Sequence, residues 1–410
     1  MGLRRGMHNT PLHLFRRLGS TSIFYAVAVI LTSSCVAGFA EEGDARPSPS
    51  MAITVQSGLW GTVESFPVIL EPPSTHLWEA LYDTRSFWSF AKLSQEECYA
   101  LFPTLGFSDS TIALIRSNGV WEEGATGTEV TIDDAIVESL SNDNRAALAK
   151  WFRLQNYSFF GKSVVNIEGG DLSAFEKSNL RPETLDLVRS VFFHRGKVLS
   201  VLDRPYLMRR LGEDREEKEK LIRALFATRS LLVRLVINET TDLDSVIKYW
   251  SANGQVKGIE SILRGVYTTA GVEKIDIIEL LPPLPRKYLY GFTNLLDIGP
   301  TNTPDCYWAA IQFFKTAPSP RLLDPLVLNH YLDHDYDLVT DEPQFGDVVC
   351  MFDRESREFL HSYVHIAGNI VFTKNGASYA RPFVLTAKAD MLSVYSDEST
   401  YFTRVYRLKR

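Results

Sequence analysis

Apolar side chains recur at helical spacing through much of residues 51–285. In "STHLWEALYDTRSFWSFAKL", Trp78, Tyr82, Phe87 and Phe90 follow one another at near-helical steps and predict helix. Ser94 followed by Glu97 is a capping box, with Cys98 inside the helix as a small buried side chain. "TIDDAIVESLSNDNRAALAKWFRLQ" predicts one or two helices before Asn156, and "RPETLDLVRSVFF" and "DREEKEKLIRALFATRS" repeat the pattern. The run Asp214–Lys220 mixes signs, as a solvated helix face does. "LLVRLVI", Leu231–Ile237, is β-rich and predicts a short strand. "TTDLDSVIKYW" returns to helix, capped by Thr241 or Asp242. No fixed-period repeat is present. In "LLPPLPRK", Leu280–Lys287, three prolines stop any helix and mark a boundary.

After Pro300 the pattern changes. One helix is expected from near Thr303 and a second, amphipathic one over Pro320–Asp333. Strand-like segments follow: "FGDVVCMF", "LHSYVHIAG", "NIVFTKNG" and the terminal "FTRVYRLKR". A helix followed by several antiparallel strands reads as α+β. The expected organisation is a mainly helical domain over 51–285, of no assigned role, and an α+β domain over 290–410.

Composition fits this picture, with 45% hydrophobic and 23% charged residues, enough for two domains. The first 40 residues stand apart. Arg4, Arg5, Arg16 and Arg17 precede the apolar "SIFYAVAVIL" and the small residues of "AGFA". That is the three-part form of a secretory signal cleaved after Ala40, and residues 41–50 then read as a linker. "LTSSC" loosely follows a bacterial lipobox, which would make Cys35 a lipidation site. Either way an exported, periplasmic or extracellular protein is expected, with no stable membrane span once processed. Loss of residues 1–40 lowers the 43 basic residues to 39 against 50 acidic ones, a net charge of −11. So acidic a chain argues against nucleic-acid binding. Cys98, Cys306 and Cys350 remain, an odd number that leaves at least one thiol unpaired or in an intermolecular bond. No Cys-x-x-Cys occurs, and neither a metal nor a cofactor is expected. His330 and His334 stand four apart beside Asp333, Asp335 and Asp337, but a solvated helix end accounts for them.

The candidate chemistry centres on Cys306. Thr303 as N-cap and Pro304 at the first helical position would put Asp305 and Cys306 in the first turn. Free N–H groups and the helix dipole favour a thiolate there. Downstream, His361, Tyr363 and His365 share one strand face by period two, so an imidazole is available as base. Thr373, Lys374 or Asn375 on the next strand could orient it. A Cys306–Cys350 disulfide would silence the site.

The ordered segments "PDCYWAA", "PQFGDVVCMF" and "HSYVHIAGNIVFTKNG" resemble the NlpC-type cell-wall cysteine peptidases, a compact papain-like fold. Asp305-Cys306 matches the family's Asp-Cys pair, Gly346-Asp347-Val348-Val349 its Gly-Asp strand, and His361 to Gly368 its His strand. The resemblance covers about residues 290–410. Tyr307-Trp308 stand where the best-known branch has Ser-Gly, and bulky residues there imply a different cleft floor. The resemblance implies Cys306 as nucleophile, His361 as base, and Lys374 or Asn375 as the third residue. Asp305, Tyr307, Trp308 and His365 would line the substrate. The implied reaction is cleavage of an amide or isopeptide bond, as in peptidoglycan stem peptides, or transfer to another acceptor. A second reading, from a different class, is a non-catalytic protein in which the same scaffold binds a peptide or partner. No partner for the helical region can be named from sequence.

Overall fold

The computed structural model describes residues 53–155, 159–160, 163–167, 170–196, 198–293, 303–355, 357–395 and 401–409. The expected leader, the linker and Cys35 lie outside these residues.

Strands β1 (Thr54–Gly58), β2 (Gly61–Leu70), β3 (Phe87–Ala91), β4 (Val120–Gly124), β5 (Gly127–Thr131), β6 (Val165–Ile167), β7 (Phe192–Arg195), β8 (Val198–Val201), β9 (Thr228–Val236) and β10 (Lys274–Asp276) come first. They are followed by β11 (Tyr336–Val339), β12 (Val348–Asp353), β13 (Phe359–Ala367), β14 (Ile370–Lys374), β15 (Phe383–Ala387) and β16 (Tyr401–Leu408). They form a four-stranded sheet β1-β2-β9-β10, a six-stranded sheet β11-β16-β12-β13-β14-β15, and two three-stranded sheets, β3-β5-β4 and β6-β8-β7. All the strand pairings within these sheets are antiparallel. The protein is therefore mixed α/β with antiparallel sheets.

Helices supply more of residues 51–285 than strands do, but β1 to β10 also lie there, where the sequence suggested a single short strand. Most of these strands are three to five residues long, too short for a period of two to stand out. Phe87 and Phe90 illustrate the error. The helix begun at Trp78 ends at Tyr82, and Phe87–Ala91 is β3, with Trp88 and Phe90 buried on its inner face. Other expectations hold. Helix α1 (Gln95–Leu101) has the capping box: Ser94 N–H donates to Glu97 Oε2 at 2.8 Å, and Ser94 Oγ accepts from Glu97 N–H. The β-rich "LLVRLVI" lies in β9, where Leu231, Val233 and Leu235 face the core and Leu232 and Arg234 face solvent. Helix α2 (Leu243–Trp250) is capped by Asp242.

Residues Met51–Arg410 form one compact unit. The prolines of "LLPPLPRK" start a short helix, Pro283–Tyr288, as well as ending the turn before it. Leu280, Leu284 and Tyr288 belong to the same core as Trp308 and Val348.

Near the predicted site, helix α3 (Cys306–Ile311) lies against β13 and β14, and helix α4 (Pro325–Asp335) follows it. Strand alternation divides the six-stranded sheet into two faces. Val348, Cys350, Val364 and Phe372 pack in one core with Trp308, Ala309, Ala310 and Ile311 of α3. Val349, Met351, Tyr363 and Val371 pack in another with Met391, Leu392 and Tyr395. Burial of Ile311 and Phe313 stabilises the first of these by about 1.5–3 kcal/mol apiece.

Candidate functional site

The N-cap of α3 is Asp305, not Thr303. Asp305 is extended, and its Oδ1 accepts the Trp308 N–H at 2.8 Å. Cys306 is thus the first residue of a helix only six residues long, whose dipole is correspondingly weak. The residue is 7% exposed. Burial, followed by the charge of Asp305, pushes its pKa up to about 12, and the Ser362 N–H and hydroxyl offset this only in part. At neutral pH the group is a thiol, the opposite of the expected thiolate.

The group beside Cys306 on β13 is Ser362, which pairs with Cys350 across β12. His361 pairs with Met351 and points to the other face. That histidine is fully buried, with its ring stacked on Tyr395 at a centroid distance of 4.0 Å. Its Nε2 lies 3.0 Å from Thr373 Oγ1, while Nδ1 has no hydrogen-bond partner among the described residues. Burial alone lowers its pKa to about 3. Tyr363 and His365 share its face by alternation, as expected. His365 is lowered to about 4, by burial first and by Lys388 second. The sheet therefore separates Cys306 from both candidate bases.

Lys374 is on the Cys306 side, two residues on from Phe372, and is fully buried. Its Nζ donates to the carbonyls of Gly376 (2.9 Å) and Ser378 (2.7 Å). Its charge favours ionised Asp305, although burial dominates and raises that carboxyl. Lys374 accordingly cannot orient His361, whose partner is Thr373. Asn375 lines a small cavity of about 140 Å³ with Arg204, Arg381 and Tyr395. Trp308 is a core residue rather than cleft floor: it is 1% exposed, and Nε1 donates to Ser319 O at 3.2 Å. Tyr307 is half-buried, its hydroxyl donating to Asn329 Oδ1 at 2.9 Å and its ring 5.0 Å from Phe359. Cys98, Cys306 and Cys350 are all free thiols, and burial raises the pKa of Cys98 and Cys350 as well. The His330 and His334 rings are 5.9 Å apart, and His334 Nδ1 lies 2.9 Å from Asp335 Oδ1. Among the described residues no cluster of three or more His, Cys, Asp or Glu could hold a metal ion.

The large open cleft, about 780 Å³, lies elsewhere, between α2, the Gln344–Asp347 turn and the end of β16. Its aromatic wall includes Tyr249 and Phe345, with ring centroids 6.2 Å apart, backed by Trp250 and Phe313. Asp347, 3% exposed at the side chain, takes a bidentate pair from Arg407: Nε at 2.9 Å and Nη2 at 2.7 Å. It also accepts the Gln344 N–H at 2.8 Å. This hydrogen bonding holds the Arg407 guanidinium above its ordinary pKa. Gly346 needs its positive φ of 90°, and a Cβ there would fall 2.1 Å from Phe314 Cζ. Sequence reasoning met Gly346 and Asp347 only as part of a strand motif and missed Lys248, Tyr249 and Arg407. Lys248, Asp347 and Arg407 are about 60 to 160 positions apart, so no spacing rule joins them.

Among the described residues no helix is long and apolar enough to cross a membrane. No family model matches the chain, no curated protein matches it, and no solved structure matches its fold.

Proposed function

We propose that this chain is a non-catalytic binding protein that takes a peptide or partner in the cleft beside α2 and β16, on a scaffold of papain-like ancestry. The observation that carries this reading is the sealed Cys306, a protonated thiol facing Ser362 while His361 lies across the sheet. Thiol hydrolysis needs an imidazole within hydrogen-bond reach of the sulfur. A helix carrying Asp-Cys on an antiparallel sheet supports the papain-like ancestry. The basic, apolar and small-residue sequence of 1–40 supports export, with lipidation at Cys35 as its variant.

The test is alkylation of the native chain with iodoacetamide between about pH 6 and pH 9, read residue by residue by mass spectrometry. Cys306 is expected to stay unlabelled until the protein is denatured. Labelling near neutral pH that is lost in His361→Ala would restore the hydrolase reading, in which Cys306 cleaves an amide or isopeptide bond.

A further inference from the structure

Resting on that binding reading, we propose that the cleft recognises a short peptide by a free carboxylate next to an apolar side chain. Two cationic groups line it with unspent hydrogen-bonding capacity. Lys248, on the exposed side of α2, has no ion-pair or hydrogen-bond partner among the described residues. Arg407 spends Nε and Nη2 on Asp347, which locks the guanidinium plane. Among the described residues its Nη1 meets only Asp341, an exposed carboxylate 3.8 Å away, beyond hydrogen-bond distance. Asn253, Gln255 and Gln344 also line the cleft, and their side chains likewise have no partner among the described residues. Lys409, by contrast, is already used, donating to His334 O at 2.6 Å.

Charge complementarity chooses the ligand class. The chain has a net charge of −7, so an acidic peptide is repelled by most of its surface. In the cleft, Arg407 is paired with Asp347 and Lys409 lies 3.9 Å from Asp337, which leaves Lys248 as the cation without an ion-pair partner among the described residues. A carboxylate placed between Lys248 and Arg407 Nη1 would complete both, with amide donors and acceptors at hand for a peptide backbone. Tyr249, half-buried, offers ring surface for the neighbouring side chain, with Phe345 packed against it. The volume is within the range of about 300–1,000 Å³ usual for small-ligand sites, enough for roughly two to three residues.

The experiment titrates the full chain with N-acetyl-phenylalanine and, separately, with its amide, following tryptophan fluorescence and calorimetry. The carboxylate form is expected to bind at least about tenfold more tightly than the amide, and rising salt should shrink the difference. Lys248→Glu, on an exposed helix position, should abolish the preference without affecting folding. Equal affinity for the two probes, a preference that survives Lys248→Glu, or binding of neither probe would overturn the proposal. Each of these results leaves the Cys306 alkylation pattern unchanged, so the non-catalytic reading would stand or fall separately.

Discussion

His361 makes the stability of this protein depend on pH in a way that can be calculated. Its imidazole is fully buried, neutral, and lowered to about 3 by burial alone, against about 6.5 in the unfolded chain. A depressed folded-state pKa means the unfolded state binds the proton more tightly. The stability is therefore fully present above about pH 6.5 and is lost progressively as pH falls toward the folded value. At about pH 5 the gap is about 1.5 pH units below the unfolded pKa, or about 2 kcal/mol from this residue. His365, lowered for the same first reason, adds a separate loss over the same window, so wild type alone cannot isolate His361. His361→Phe can. Phenylalanine keeps a ring against Tyr395, and Thr373 Oγ1 retains its hydrogen bond to Ser362 O. The assay is equilibrium urea unfolding of both proteins at about pH 7.5 and pH 5, compared at constant m. Wild type should lose about 2 kcal/mol more than His361→Phe between the two conditions. Equal losses would refute the reasoning, because His361 would then take up its proton in the folded state as readily as in the unfolded one. That result would also place its pKa near the range required of a general base.

Two further outcomes follow from other parts of the structure. Arg145 and Asp203, each 2% exposed, pair at 2.9 Å, and Arg145 also donates to the carbonyls of Leu140 and Val137. Arg145→Met should cost about 3–5 kcal/mol in urea unfolding, since it strands a buried carboxylate, and adding Asp203→Asn should recover part of the loss. Gly346→Ala should lower stability by about 1–3 kcal/mol in the same assay, because of its left-handed φ and the clash with Phe314. Adding Phe314→Ala should relieve only the clash, leaving a residual loss from φ.

Local signals were legible wherever the physics is local. The Ser94–Glu97 box acts over three residues, and the structure contains it. The strand around Leu231–Val236 and the strands at Val348–Asp353, Phe359–Ala367 and Ile370–Lys374 stand where β-rich segments predicted them. Phe87 and Phe90 misled because a five-residue strand following a short helix mimics helical spacing. The cap of α3 moved from Thr303 to Asp305, since both residue types suit that role and only backbone geometry distinguishes them.

The sequence by itself determined that Cys306 lies in the first turn of a buried helix and that His361, Tyr363 and His365 share one strand face. It also determined that apolar strands surround them. Only the tertiary structure decided which face the helix covers. A strand presents alternate residues to opposite sides, so a shift of one position exchanges His361 for Ser362 beneath the thiol. That register is set by the packing of α3 on β13 and β14, through contacts that no order of motifs along the chain records. The same holds for the cleft, where Lys248, Asp347 and Arg407 meet only because α2 and the end of β16 fold against one turn.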